Sequence, residues 1–203
     1  MKESGKLIVI TGPIAAGKDT VVEALVAKHG WHRVVTHTSR APRVGEVDGH
    51  DYHFVSKETF LAMKARGEFA ETNDNDWAIH YYGTTKKELS VVFSGKNALW
   101  RIDPMAALNL SAIFKKNHPT DPQVAQKLLS ASVICYVTVG DWEVLRERII
   151  ERDGEKAQKN LERLGKERED FEANKSALTS FSIYNEDGEI EATIAQIEAR
   201  LSR

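Results

Sequence analysis

The sequence predicts an α/β fold: a three-layer core built on a parallel sheet, with a small α+β insert. Three observations support this. The apolar, β-branched run from Lys6 to Thr11 leads into Gly12-Pro13-Ile14-Ala15-Ala16-Gly17-Lys18, and helical apolar spacing follows from Thr20 to Val26. Beyond it, strand-like and helix-like stretches alternate, which favours parallel strands covered on both faces. Between residues 35 and 84 that rhythm breaks, so this stretch is expected as the insert, with 1–34 and 85–203 forming the core.

Taken in order, the first strand is expected over 6–11 and its helix over 18–29, stopped by Gly30. Residues 36–54 are polar, carry Pro42, Gly45 and Gly49, and read as hairpin and loop. A helix is expected over 56–66, starting from Ser56, and short strands flank Asn73 to Ala78. Then come a helix over 85–94 ended by Gly95, a strand over 98–102, a helix over 105–116, and a loop over 117–122 with two prolines. A short helix at 123–130 precedes a strand at 132–139. Residues 141–171 are densely charged and helical, with Gly154 and Gly165 as interruptions. A strand near 180–184, a turn at 185–188 and a final helix close the chain.

A chain of 203 residues can bury one substantial core with an inserted subdomain. Its formal charge of −2 gives no global reason to expect a nucleic acid or an acidic membrane as partner. The one cysteine, Cys135, lies in the apolar run Val133 to Val137 and reads as a buried strand side chain, so no disulfide framework is expected. No apolar segment approaches membrane-spanning length. The expectation is a soluble, cytoplasmic protein, monomeric or homodimeric.

Gly12 to Lys18 reads as a phosphate-binding P-loop. Loop N–H groups and the positive end of a helix surround a polyphosphate, small residues let the backbone approach, and Lys18 supplies a point charge. Donor-phosphate contacts are therefore expected from Gly12, Pro13, Ile14, Ala15, Ala16, Gly17, Lys18, Asp19 and Thr20. The usual motif has Ser or Thr directly after the lysine to orient magnesium; here Asp19 holds that place and Thr20 follows. Thr20 and Asp19 are the candidate metal ligands, and Asp19 either meets the ion or its waters or caps the helix.

A second anion site is expected at Arg40 and Arg43, three apart around Pro42, whose guanidinium groups can fork onto one phosphate. Tyr52 and Tyr82 are candidate phenolic donors to the same anion.

The motifs Thr38-Ser39-Arg40-Ala41-Pro42-Arg43-Val44-Gly45-Glu46, Gly49 to Val55, Gly67-Glu68-Phe69-Ala70-Glu71 and Tyr81-Tyr82-Gly83-Thr84 resemble the GMP-binding region of guanylate kinases, a family of P-loop nucleoside monophosphate kinases. The resemblance implies magnesium-dependent transfer of a phosphoryl group from ATP to GMP on a P-loop kinase core with a helical lid at about 152–170, with use of dGMP left open. It also implies that Arg40, Arg43, Tyr52 and Tyr82 hold the GMP phosphate, that Thr36 meets the guanine carbonyl, and that Glu71 accepts from N1 and the exocyclic amine. Thr84 matches a hydroxyl position and Asp103 a carboxylate position near the base. Guanine's Watson–Crick edge offers adjacent donors beside an acceptor, so a carboxylate plus a hydroxyl reads it and mismatches adenine. Arg148, Arg152 and Arg163 resemble the lid arginines that converge on the phosphates, and one continuous helix would put all three on one face near Lys159. With Lys18 they are the candidate catalytic residues.

Four departures from the family pattern stand out. Ile14-Ala15 replaces Ser-Gly, Asp19 replaces a hydroxyl residue, Arg101 stands where an acid is common, and Thr72 to His80, containing Asp74, Asp76 and Trp77, is longer. The swapped polarity predicts an Asp19–Arg101 pair. The longer segment is either a surface extension or a modifier of acceptor choice. Two alternatives remain open: a small-molecule phosphokinase like the ribose 1,5-bisphosphate kinases, and a non-catalytic guanylate-kinase-like binding module.

Overall fold

The computed structural model describes residues 4–73 and 79–202. In chain order the elements are β1 (Leu7–Thr11), α1 (Lys18–His29), β2 (His32–Arg33), β3 (His37–Thr38), β4 (His53–Phe54), α2 (Lys57–Ala65), β5 (Phe69–Asn73), β6 (Tyr82–Thr85), α3 (Lys86–Leu89), β7 (Ala98–Arg101), α4 (Pro104–Leu108), α5 (Leu110–Asn117), α6 (Pro122–Ala131), β8 (Ser132–Thr138), α7 (Trp142–Asp153), α8 (Gln158–Ala173), α9 (Lys175–Ser180), β9 (Ser182–Tyr184) and α10 (Ile190–Leu201). β2 pairs with β7 and β8 with β9, each in parallel and therefore joined through crossovers, as in a mostly parallel α/β sheet. None of the described helices is long and apolar enough to cross a membrane.

Local chemistry sets most of the helix ends. Gly30 closes α1 in the left-handed region at φ 65°, its N–H donating to Val26. Ser56, Thr85 and Asp121 accept from the third residue of α2, α3 and α6, and Pro122 takes the first position of α6, where its missing N–H costs nothing. Asp141 caps α7 from its side chain.

The described residues form two compact units. The first takes in 4–7, 32–73, 79–100 and 109–132. There β2 pairs with β7 in parallel, and a second sheet runs β4-β3-β6-β5. Phe60, Met63 and Phe69, flanked by Val55 and Tyr81, fill its small core. Gly83 is required there, because a Cβ would lie 2.9 Å from the Phe60 ring. The second unit takes in 8–31, 101–108 and 133–202. In it the β1 residues from Ile8 to Thr11 are buried, and β8 pairs with β9 in parallel, Val137 opposite Ile183. Cys135 is buried as expected, and burial pushes its thiol up to about 12.

Several expectations are corrected. β3 and β4 pair in parallel, His37 opposite His53, so the chain between them is a crossover loop, not a hairpin. The helix expected at 105–116 breaks at Asn109 into α4 and α5, and the second half of 85–94 winds into a 3₁₀ turn, Ser90–Ser94. Gly154 interrupts the charged helix as expected, but Gly165 lies inside α8. Arg163 therefore sits on a different helix from Arg148 and Arg152, and the single arginine face is lost. α9 had no counterpart in the reading from sequence. Asp74, Asp76 and Trp77 lie outside the described residues.

Candidate active site

In the second unit, the loop between β1 and α1 turns through three positive-φ residues: Gly12 at 138°, Ala15 at 64° and Gly17 at 79°. A Cβ on Gly12 would lie 2.0 Å from the Val137 carbonyl oxygen, so only glycine fits. Ala15 takes a left-handed conformation that an alanine adopts at a cost. Lys18, first residue of α1, folds back so that Nζ donates to the Pro13 carbonyl at 2.6 Å. Burial lowers Lys18 to about 7; Glu167 opposes that shift, while the charges of Arg101, Arg163 and Arg152 add to it.

Arg148 and Glu167 contact this loop directly, and Arg163 reaches it through Glu167. Arg148 donates to the Ala15 carbonyl at 3.2 Å, to the Asn185 carbonyl at 3.1 Å and to Asp187 at 2.6 Å. Arg163 pairs with Glu167 at 2.7 Å, one turn along α8. The other oxygen of Glu167 accepts the main-chain N–H of Ile14 at 2.6 Å. Arg152 pairs with Asp153, which also accepts from Asn160. Asn185 braces the loop, its Nδ2 donating to Ala16 at 2.8 Å while Thr193 donates to its Oδ1 at 3.1 Å. Arg101 and Asp19 form the ion pair that their swapped polarity predicts. Thr20, in the first turn of α1, is exposed. Asp103 caps α4, accepting from Ala106 at 3.0 Å.

In the first unit, Arg40 follows β3 and is held from its own neighbourhood. Its N–H donates to Thr38 Oγ1 at 3.1 Å, and Ser39 Oγ accepts the Tyr81 N–H at 2.8 Å. The Arg40 guanidinium makes two parallel bonds to Glu46, at 2.8 and 2.9 Å, and lies over the Tyr52 and Phe54 rings. Hydrogen bonds from Glu46 and Tyr82 raise its pKa further. Glu46 also accepts the Arg43 N–H at 2.6 Å, while Arg43 itself is exposed. The Tyr52 and Tyr82 rings meet edge to face 6.0 Å apart, and burial raises the Tyr52 hydroxyl.

Glu71 and Thr84 are opposite each other across β5 and β6, just past a register shift at Ala70. That bulge re-aims the glutamate. Glu71 is 7% exposed and Thr84 fully buried. Thr84 Oγ1 lies 3.3 Å from Thr36 Oγ1 and accepts the Trp100 indole N–H at 2.9 Å.

Thus Arg40, Tyr52 and Tyr82 come together in the first unit, as do Thr36, Glu71 and Thr84. Lys18, Arg148 and Arg163 come together in the second. Four residues escaped the reading from sequence: Glu46, Trp100, Glu167 and Asn185. Glu46 had a signal, an acid three residues after Arg43 within the basic loop. Glu167 and Asn185 find the P-loop across more than 150 residues, and no local pattern marks them.

A glycine loop opening a helix, a buried lysine and a second arginine-rich anion site define a P-loop phosphotransferase. Residues 4–203 match the family model described as guanylate kinase. The guanylate kinase of Clostridium perfringens (strain SM101) is 34% identical over 202 residues, 97% of this chain and 82% of that protein. That of Bifidobacterium longum is 36% identical over 162 residues, 79% of this chain and 77% of the other. A crystal structure of guanylate kinase from Anaplasma phagocytophilum superposes with a TM-score of 0.67 at 26% identity, covering 100% of this chain and 87% of that one. The chain belongs to the guanylate kinase family, and the comparisons favour neither the sugar-phosphate kinase nor the binding-module alternative.

Proposed function

We propose that the chain transfers the γ-phosphoryl group of ATP to GMP, giving ADP and GDP, with residues 35–84 as the acceptor-binding insert and about 152–170 as the lid. The observation that carries this reading is the grouping of a buried carboxylate, Glu71, with the Thr84 and Thr36 hydroxyls, in the unit that also holds the Arg40 cluster. The carboxylate accepts from guanine N1–H and the 2-amino group, and Thr36 donates to the 6-carbonyl; adenine offers the opposite pattern.

Arg40 and Arg43, with Tyr52 and Tyr82, hold the acceptor phosphate, and Glu46 fixes the orientation of the Arg40 fork. Lys18 and the amides from Gly12 to Thr20 hold the donor phosphates. Arg148, Arg152 and Arg163 neutralise the charge that builds on the moving phosphoryl group, and Asp103 is the further carboxylate assigned to the base. Phosphoryl transfer needs positioning and charge stabilisation, so no side-chain nucleophile is required. The exposed Thr20 hydroxyl suits a magnesium ion that travels with the nucleotide, and the pairing of Asp19 with Arg101 leaves Thr20 as the principal protein ligand. Such an ion would offset the charge of the donor phosphates.

A coupled ADP-release assay with GMP, dGMP, AMP, UMP and a pentose phosphate tests the reading, with turnover expected on GMP above the rest. Glu71→Gln should lower kcat/KM for GMP about 100-fold and leave the ATP KM unchanged. An unaltered rate on GMP would remove the assignment.

A further inference from the structure

Trp100 is fully buried, stacks on Phe114 at 5.9 Å between ring centroids, and directs its one polar atom at a hydroxyl. An indole nitrogen only donates. Thr84 Oγ1, 2.9 Å away, must therefore accept from it, and the Thr84 proton is turned off that axis. The Thr36 oxygen, 3.3 Å away, is placed to receive it. With Thr36 accepting from Thr84, the Thr36 proton is left for an acceptor outside the pair. A chain of three groups, Trp100 to Thr84 to Thr36, thus ends in a hydrogen-bond donor.

We propose that Trp100 is a specificity-determining positioning residue, one that polarises the Thr84–Thr36 hydroxyl pair toward a 6-oxopurine and against a 6-aminopurine. This rests on the reading that Thr36 and Thr84 face the acceptor base. A hydroxyl alone is ambivalent, with one proton and two lone pairs, and it meets a carbonyl or an amino group with little preference. Trp100 occupies one of the two lone pairs of Thr84, and a hydroxyl polarised in this way is the better donor to Thr36. A 6-amino group then meets a proton where it needs a lone pair, and an unmatched buried polar contact of this kind costs roughly tenfold or more in binding.

The test replaces Trp100 with 3-benzothienylalanine, in which sulfur stands where the indole has N–H, and separately with Phe. Calorimetric dissociation constants are measured for GMP and for 2,6-diaminopurine riboside 5′-monophosphate, which carries an amino group at position 6. The preference for GMP should fall about tenfold in the isostere, with ATP affinity and melting temperature unchanged. An unchanged preference in the folded isostere overturns the proposal, whatever the Phe variant does. Thr36→Ala separates the two levels. If it lowers the GMP preference while the isostere does not, only the role of Trp100 fails; if neither changes it, the base-site reading fails as well.

Discussion

Glu167 and Ile14 are joined by a 2.6 Å hydrogen bond from a P-loop amide to a carboxylate of α8, so a side chain of the protein already sits on the loop as an anion. Its other oxygen is held by Arg163, which fixes its direction. If a donor phosphate takes the same amide, as proposed, nucleotide binding must displace the glutamate. Glu167→Gln keeps the shape and removes the charge. ATP should then bind about three- to tenfold more tightly, with GMP affinity unaltered, as read by calorimetry. Weaker ATP binding in this variant would mean that Glu167 assists the nucleotide.

Lys18 gives the loop a pH dependence with a definite sign. In the free protein it loses its proton around pH 7, chiefly through burial, while bound phosphates would keep it charged. Binding of ATP therefore takes up a proton above pH 7, and affinity should fall on going from pH 7 to 9, approaching tenfold per unit. Calorimetry in buffers of different ionisation enthalpy counts that proton. Because Glu167 raises the Lys18 value, Glu167→Gln should begin this decline at lower pH.

Ala15 sits at φ 64°, where a Cβ costs about 1 kcal/mol. Ala15→Gly removes that strain but loosens the unfolded chain by a similar amount, so stability should change by less than about 1 kcal/mol. Ala15→Val cannot relax into the left-handed region and should cost about 2 kcal/mol. Urea titrations of the two variants give the comparison, and an equal loss in both would discount backbone strain.

His37 ties stability of the first unit to acid. Burial, with the neighbouring His53, lowers its ring to about 4, and Nδ1 is buried with no hydrogen-bond partner among the described residues. The unfolded value is near 6.5, so the neutral ring's contribution is complete above pH 6.5 and is lost as pH falls from there toward 4. Water still reaches part of the ring, which limits the loss to about 1–2 kcal/mol. Melting temperatures between pH 7 and 4.5 should decline less steeply for His37→Phe than for the parent.

What could be read from sequence follows from how local its causes are. The ends of α1 and α2 rest on Gly30 and Ser56, residues whose effect lies within one turn, and the P-loop is contiguous. The Asp19–Arg101 pair spans 82 residues and was still readable, because both sides break the usual polarity in complementary ways. The parallel pairing of β3 with β4 was not, since a loop rich in Gly and Pro reads the same whether its strands run together or opposed. The run through Gly165 escaped for a related reason: a helix docked along one side tolerates a glycine that an isolated one would not. Trp100 lies in the strand expected over 98–102 but drew no reading of its own, and only its distance to Thr84 reveals the polar task.

Asn185 has a consequence for how the chain can be cut and grafted. A Cβ on Gly17 would come within 2.3 Å of its amide nitrogen, and the same amide holds Ala16. The first catalytic loop is thus moulded against a turn near the opposite terminus, and neither can be redesigned alone. A fragment ending before residue 185 would keep every motif residue yet lack the template that shapes them, and a transplanted loop would need its distant asparagine to travel with it.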